Sequence, residues 1–336
     1  MPQLKRDPLG DNGFPSMPPA IAVPFQVLPR LPLVVAFTAL LVVRPATGAS
    51  QAIPTERGSV ADWGGEGPLL SFLPGFGTGA HIFDGLAPAF TDHFHVIALT
   101  PRGFPPSSAP DAGYTIAQLA ADVLGVVDSS QARQAVLAGH SISGAVITRF
   151  AEAYPDRLLA AVYLDAAFDF GAAYRRSRLR PRLDVSSIDT TAARYRGWKA
   201  AYPDWDPIRE GDARMWDVDS ADAAHRQALV LPLADEVRSH PHEFWKVQVP
   251  ALAICAVGSM RRAYGWLTPD STRWQVALAW GREAQAAKRA ECQEFRRRVP
   301  HGQSVELDGG HFIFLDRRDT VVRAMRRFFR AVLSPP

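Results

Sequence analysis

The sequence predicts an α/β protein with a doubly wound, mostly parallel central sheet, flanking helices and an inserted helical cap. From residue 68 onward, short apolar runs alternate with longer amphipathic stretches, which is the order of strands and helices in a parallel sheet covered on both faces. Between residues 170 and 249 this alternation stops, and Arg, Trp, Tyr and Asp recur at helical spacing. A chain of 336 residues, 47% of them hydrophobic, is long enough for one large α/β domain with such an insertion, or for two ordinary domains.

The predicted elements are short and follow one another regularly. Before the insertion, apolar runs predict strands at residues 68–73, 95–99, 135–138 and 159–164, and amphipathic stretches predict helices at 80–90, 115–127 and 142–154. After it come predicted strands at 251–257 and 303–307 and a helix at 320–333. The domain organisation that follows is a leader of residues 1–50, an α/β core of residues 51–169 and 249–336, and a helical cap of residues 170–248.

The leader has the pattern of a secretory signal peptide. Residues 31–43 form an apolar run broken only by Pro32 and Thr38, which is too short to span a bilayer. Arg30 precedes the run, and small residues at 46–50 follow it as a cleavage region. We therefore expect export to the periplasm or the medium and no stable membrane span in the mature form. An uncleaved membrane anchor and a buried strand are the alternatives.

Charge and cysteine content exclude several function classes. The 37 Lys and Arg exceed the 34 Asp and Glu by a net charge of only +3, and the arginines are scattered, so no nucleic-acid partner is implied. Cys255 and Cys292 lie in no spacing that would hold zinc or exchange thiols, so we expect no metal and no cofactor. They could form one disulfide in an exported protein, or Cys255 could be a buried core thiol. The oligomeric state stays open.

A candidate nucleophile, Ser141, lies between a predicted strand and a predicted helix. An alcohol is a poor nucleophile at neutral pH, so it needs a base within reach and an exposed position, which a tight strand-to-helix turn supplies. Gly139 and Ser143, two residues before and after it, are small enough for such a crowded turn, and Gly144 comes one position later than the usual glycine. A Gly-x-Ser-x-Gly-like pentapeptide is weak alone, but here the predicted strand and helix support it.

Two backbone N–H groups are candidates for an oxyanion hole. The helix start after the serine directs the N–H of Ile142 at the reaction centre. The glycine-rich loop at residues 74–79 follows a buried strand and brings the N–H of Phe76 to the same sheet edge. A plain glycine-rich turn is the alternative for this loop.

The general base is expected late in the chain, where His311 follows a predicted strand and the turn Asp308-Gly309-Gly310. The acid is less determined, because the segment after the strand at 251–257 contains no carboxylate through residue 264. The preceding strand ends in Asp165, which can face the same edge and orient His311. Asp169 and Asp270 are the other candidates, and a strand-end bond to the backbone is the structural alternative for Asp165.

The predicted cap would cover the end of the parallel sheet, exclude water and line a pocket. Its aromatic residues are candidates for substrate contact or, alternatively, pack the cap against the core: Trp198, Tyr202, Trp205, Trp216 and Phe244.

Together these motifs resemble the α/β-hydrolase family of the esterase and lipase-like type, over about residues 62–333. Residues 62–68 look like the run before the family's oxyanion strand, and residues 100–104 like the loop after its next strand. Pro74 stands where a histidine is frequent in the family. An acid at Asp165 is similar to the dehalogenase-like branch, but that branch uses an aspartate nucleophile, and Ser141 argues against dehalogenase or epoxide hydrolase chemistry.

The expected function is that of a cofactor-free serine hydrolase that cleaves a carboxylic ester of a small or medium hydrophobic substrate. Ser141 would be the nucleophile, His311 the base, and the N–H groups of Phe76 and Ile142 the oxyanion donors. The same residues would also serve a lyase, an acyltransferase or a carbon–carbon hydrolase. A non-catalytic exported binding protein is the third possibility.

Overall fold

The computed structural model of the protein describes residues 51–55, 58–169, 171–173, 221–240, 242–258 and 271–333. The leader at 1–50, most of the cap, and the candidate acid Asp270 lie outside these residues. So do four of the predicted pocket residues, namely Trp198, Tyr202, Trp205 and Trp216. Among the helices that are described, none is both long enough and apolar enough to cross a membrane.

The described residues form one eight-stranded sheet with the order β1-β2-β4-β3-β5-β6-β7-β8. Antiparallel pairing joins β1 to β2 and β2 to β4, and every other neighbouring pair is parallel. The strands are β1 Gln51–Thr55, β2 Gly58–Gly64, β3 Leu69–Leu73, β4 His95–Thr100, β5 Ala135–His140, β6 Leu158–Leu164, β7 Ala251–Ala256 and β8 Gly302–Leu307. The predicted doubly wound, mostly parallel sheet is confirmed.

Helices cover both faces of this sheet, and each face has its own apolar core. Central strands β3, β5 and β7 are buried along their whole length, which is why their sequences are mostly apolar and do not alternate. One core includes buried residues of α1 and α2, and the other includes those of the C-terminal helix. The helices are α1 Ile116–Ser129, α2 Ser143–Ala153, α3 Ala221–Ser239, α4 Ser271–Arg298, α5 Ile313–Asp316 and α6 Arg318–Leu333.

Three parts of the fold differ from or add to the sequence-based prediction. The single helix predicted at 80–90 is wrong, because this segment forms two 3-10 helices, Ala80–Phe83 and Ala87–Phe90. Gly85 has a low helix propensity, and Pro88 has no N–H to donate. The two 3-10 helices therefore do not join into one α-helix. Strands β1 and β2 and the long helix α4 were not predicted.

The described part of the insertion at 170–248 consists mainly of helix α3 and a short 3-10 helix, Phe244–Lys246. Helix α3 lies beside the amino end of α1, since the Glu236 carboxylate accepts a hydrogen bond from the Ile116 N–H at 3.0 Å. The Arg226 guanidinium donates to the Ser107 carbonyl oxygen at 2.9 Å, in the loop that follows β4. A carboxylate at a helix N-terminus and a charged donor on a loop carbonyl are both favourable contacts. They place α3 over the carboxyl edge of β4.

A disulfide joins the sheet to α4. Cys255 of β7 and Cys292 of α4 are bonded, with their Cα atoms 6.3 Å apart. Both residues are buried. Both interpretations of these cysteines therefore apply, because Cys255 is a buried core residue and is also bonded to Cys292.

The strand order brings the loops after β3 and β5 together. The chain runs from β3 outward to β4, then returns past β3 to β5 and continues in the opposite direction. In open α/β sheets, such a reversal leaves a crevice at the carboxyl ends of the two strands, and ligands bind there. Here these ends lead into the loop at 74–79 and into the turn that carries Ser141.

Candidate active site

Ser141 sits in a strained turn between β5 and α2. Its φ of 53° lies in the left-handed region, which non-glycine residues rarely adopt. Gly139 makes the turn possible, because a Cβ there would lie 3.0 Å from both the Cβ and the carbonyl oxygen of Ser143. The turn therefore requires the glycine that the sequence motif contains.

The two residues that depart from the usual pentapeptide both hold the turn in place. Ser143 donates a buried hydrogen bond from its hydroxyl to the Pro74 carbonyl oxygen, which ties the start of α2 to the loop after β3. A Cβ on Gly144 would overlap the Ala166 carbonyl oxygen, so α2 packs directly on the loop after β6. The serine at position 143 and the late glycine thus connect the turn to the neighbouring loops.

His311 lies within hydrogen-bond reach of the serine. Its Nε2 is 2.9 Å from the Ser141 Oγ, and its Nδ1 is 2.6 Å from the Asp165 Oδ2. The loop that carries it is held by a hydrogen bond from the Gly310 N–H to the Asp316 carboxylate. With Nδ1 donating to the carboxylate, Nε2 is left to accept the serine proton.

Asp165 directly follows β6, has a left-handed φ of 47° and is only 2% exposed. Its Oδ1 accepts a hydrogen bond from the Ala256 N–H at 2.9 Å, while its Oδ2 is shared by His311 and the Lys288 ammonium. Burial by itself would raise the pKa of Asp165. The nearby Lys288 charge and the hydrogen bonds from His311 and Lys288 outweigh it and hold the pKa well below its usual range. The carboxylate is therefore charged at neutral pH.

His140, the residue before the serine, contacts the backbone of His311. Its Nε2 is 3.0 Å from the His311 carbonyl oxygen, which can only accept, so this nitrogen carries the proton. Burial and the proximity of His311 hold the pKa of His140 well below its usual range. A neutral His140 thus donates to the backbone of His311.

The loop at 74–79 reaches the serine closely. A Cβ on Gly75 would lie 3.1 Å from the Ser141 Cβ and 2.7 Å from the His140 Nδ1, so only a glycine permits this approach. The Gly75 carbonyl oxygen accepts hydrogen bonds from the N–H and hydroxyl of Thr78, which fix the turn. The structure therefore brings the Phe76 segment and the N-cap residue of α2, Ile142, to the same place beside Ser141.

The remaining predicted site residues lie elsewhere. The Asp169 carboxylate accepts from the Ala172 N–H at 2.9 Å, which is the contact of a turn residue. Phe244 is 3% exposed and packs its ring against His242 and Phe295 in the core. Packing, the structural alternative for the aromatic residues of the insertion, describes Phe244; its contact with a substrate stays a prediction.

This fold and this Ser–His–Asp geometry define a hydrolase-like α/β protein, and the comparisons agree. The family described as alpha/beta hydrolase fold matches residues 68–318, most of the chain. The chain belongs to this family of hydrolases.

Three curated proteins illustrate the range of its relatives. The chain is 26% identical over 140 residues to 2-(acetamidomethylene)succinate hydrolase of Mesorhizobium japonicum, which covers 42% of this chain and 46% of that protein. It is 34% identical over 106 residues to epoxide hydrolase B of Mycobacterium tuberculosis, covering 31% and 30%. It is 30% identical over 129 residues to 3-oxoadipate enol-lactonase 2 of Acinetobacter baylyi, covering 38% and 48%. The chain spans less than half the length of these relatives.

A solved structure matches over a longer stretch. The crystal structure of E-2-(acetamidomethylene)succinate hydrolase superposes with a TM-score of 0.56 at 21% identity, over 83% of this chain and 98% of that one. At this identity the likeness supports the fold alone.

Two residues of the site could not be found from the sequence. Lys288 lies 123 positions after Asp165, on a helix whose apolar pattern is weak, and no motif marks it. His140 was visible as the neighbour of Ser141, but its bond to the His311 backbone depends on packing between β5 and a loop that follows β8. Neither contact has a sequence signal.

Replacing Gly144 with alanine tests the close packing of α2 on the loop after β6. The new Cβ would overlap the Ala166 carbonyl oxygen, so Gly144→Ala is expected to lower the free energy of unfolding by about 1–3 kcal/mol. Gly85 is the matched control, because a Cβ there meets nothing within 4 Å and Gly85→Ala should change stability by less than about 0.5 kcal/mol. Urea unfolding midpoints compare the two. Equal midpoints would show that the loop moves aside freely.

Proposed function

We propose that this protein is a cofactor-free serine hydrolase that cleaves a carboxylic ester of a small or medium hydrophobic substrate through an acyl-enzyme. The observation that carries the proposal is the continuous chain of contacts from the Ser141 Oγ through the His311 imidazole to the buried Asp165 carboxylate. Nucleophile, base and orienting acid stand in the order and spacing that activate an alcohol.

The proposed reaction has two halves that use the same base. As the Ser141 oxygen attacks the ester carbonyl, His311 Nε2 takes the hydroxyl proton, and the N–H groups of Phe76 and Ile142 hold the developing oxyanion. Collapse of this intermediate breaks the ester C–O bond, and the leaving alcohol receives the proton from Nε2. Water then attacks the acyl-serine and gives a proton to Nε2. The carboxylic acid product leaves as the Ser141 oxygen takes this proton back.

The relatives support an ester-type substrate without defining it. One of them is named an enol-lactonase, and a lactone is a cyclic ester. Another is named an epoxide hydrolase. Opening an epoxide needs a carboxylate nucleophile that can itself be hydrolysed afterwards, and the nucleophile position here holds Ser141. This favours acyl chemistry for the present chain.

Ser141→Ala is expected to lower kcat on p-nitrophenyl esters by roughly 10⁴-fold or more, because no other group supplies the attacking oxygen. A fluorophosphonate probe should label the wild type and not this variant. Ser129 serves as the control, since its hydroxyl is bonded to the Gly125 carbonyl oxygen on α1 and Ser129→Ala should react normally.

Ester turnover that survives in Ser141→Ala would refute the assignment. Probe labelling combined with inertness to esters, and with turnover of amides or β-diketones, would favour another reaction of the same serine. Absence of labelling in the wild type would favour a non-catalytic binding protein.

Paired substitutions distinguish whether Asp165 or Asp169 is the acid that orients His311. Asp165→Asn should lower kcat by roughly 10⁴-fold, because an amide facing Nδ1 favours the wrong tautomer of His311. Asp169→Asn should leave activity near that of the wild type, since the Asp169 carboxylate accepts from the Ala172 N–H at the start of the insertion. Steady-state kinetics on one ester measures both. The reverse ranking would reassign the acid.

We also propose that the protein is exported. The signal-like pattern of the leader supports this, and so does the disulfide between Cys255 and Cys292, since disulfides persist in oxidising compartments. Expressed with its own leader in a bacterial host, the chain should leave the cytoplasm and lose its leader, as judged by fractionation and intact mass. Leu40→Arg, which charges the apolar run, should keep it inside. A wild-type chain of full mass that stays in the cytoplasm would contradict export.

A further inference from the structure

We propose that Lys288 is a positioning residue that holds Asp165 for His311, and that the Cys255–Cys292 disulfide keeps Lys288 in place. This inference rests on the proposed serine hydrolase function. It concerns a residue that acts through the acid and touches neither the nucleophile nor the base.

Lys288 completes the set of contacts around the Asp165 carboxylate. Its ammonium and the His311 Nδ1 both contact Oδ2, while the Ala256 N–H occupies Oδ1. Lys288 is 29% exposed and Asp165 only 2%, so the lysine reaches in from the rim to a buried charge. The Lys288 Nζ also lies 5.2 Å above the centre of the Phe168 ring, which provides a second favourable contact for the cation. Three donors therefore hold the carboxylate in one orientation.

The Asp165 carboxylate most needs a positively charged partner in the resting enzyme, before the reaction begins. In the resting enzyme, His311 must be neutral to accept the serine proton, so the buried carboxylate faces an uncharged imidazole. A buried carboxylate without a cation is unfavourable, and it would favour a protonated His311 that can no longer act as a base. Lys288 supplies the missing charge at the same oxygen.

The disulfide joins the two elements that hold the two carboxylate oxygens. Cys292 follows Lys288 by one helical turn on α4, and Cys255 directly precedes Ala256 on β7. A second link, from the Gln285 side-chain amide to the Gly258 carbonyl oxygen at 2.5 Å, joins the preceding turn of α4 to the end of β7. A shift of α4 along the sheet would withdraw the ammonium from Oδ2, and these links oppose that shift.

The pH dependence of activity tests the role of Lys288. Among the residues that the structure describes, the titratable and charged groups beside the His311–Asp165 pair are His140 from β5, Lys288 from α4 and Asp316 from α5. In Lys288→Met the full negative charge of Asp165 faces His311 and favours the imidazolium. The acidic limb of kcat/KM is therefore expected to move to higher pH by about one unit.

At neutral pH, Lys288→Met is expected to lower kcat by about tenfold with KM little changed, which is the size of effect seen for partners that orient a ligating histidine. Lys288→Arg keeps the positive charge and the donors and should restore most of the activity and the wild-type limb. Lys246→Met is the matched control, because Lys246 pairs with Glu152 and Glu243 on the surface and should leave both parameters unchanged. Circular dichroism and urea unfolding identify any variant that fails to fold, and Lys288→Gln then replaces Lys288→Met.

A second readout does not require turnover. The proton shared by the His311 Nδ1 and Asp165 should give a downfield NMR signal whose pH titration moves upward in Lys288→Met and returns in Lys288→Arg. A folded Lys288→Met variant that keeps the wild-type kcat, the wild-type acidic limb of kcat/KM and the wild-type pH titration of the NMR signal would overturn the proposal, even if Ser141 is the nucleophile. If wild type shows neither labelling nor ester turnover, the proposed function fails, and the NMR titration alone decides whether Lys288 controls the pair.

The proposed role of the Cys255–Cys292 disulfide in holding Lys288 is tested separately. Cys255→Ala/Cys292→Ala, measured at a temperature where the variant is folded, should move the acidic limb in the same direction as Lys288→Met. Adding Lys288→Met to this variant should then move the limb by less than it does alone. An unchanged limb in the folded double-alanine variant would show that the disulfide does not hold Lys288.

Discussion

A carboxylate removed from water must be paired, and much of the site follows from the pairing of Asp165. Asp165 directly follows β6, and its partners come from β7, from the loop after β8 and from α4. Breaking such a buried pair by removing one partner typically costs about 3–5 kcal/mol, because the remaining charge stays in a poorly solvated position. Four elements that are distant in sequence are therefore held in register by one functional group. The contact that orients His311 also contributes to the packing of the sheet edge.

Ser141 and Asp165 share a strained backbone conformation at the same edge of the sheet. Ser141 and Asp165 follow neighbouring parallel strands, and both adopt left-handed φ angles, at a cost of about 1–3 kcal/mol each. The Ser141 N–H donates to the Leu164 carbonyl oxygen, and the Asp165 N–H donates to the Ile254 carbonyl oxygen at 2.7 Å. Each strained residue is thus anchored to the next strand in the sheet. The geometry is set by the sheet, and His311 completes it from a loop.

Local chemistry was predictable from the sequence, whereas contacts between distant segments were not. Ser141 stands in a turn that demands specific small residues, and His311 follows a strand late in the chain, so motif and chain order locate both. The central strands β3, β5 and β7 are recognisable because their buried runs are mostly apolar. Helix α4 has no strong apolar stripe, and Lys288 on it meets Asp165 only through tertiary packing. The strand pair β1 and β2 is stabilised by pairing with β4, which composition does not encode.

The end of β7 packs closely against the loop that carries His311. A Cβ on Gly258 would overlap the backbone of Gly309, and the Gly258 N–H donates to the Gly309 carbonyl oxygen at 3.1 Å, so pairing between these chains continues past both strands. The exit of β7 therefore lies directly against the loop of His311, with no room for a side chain between them. The His311 Nδ1 is 2.6 Å from the carboxylate of Asp165, the residue after β6. The glycine after β7 thus allows the close contact with the His311 loop, and the carboxylate that contacts His311 comes from the residue after β6.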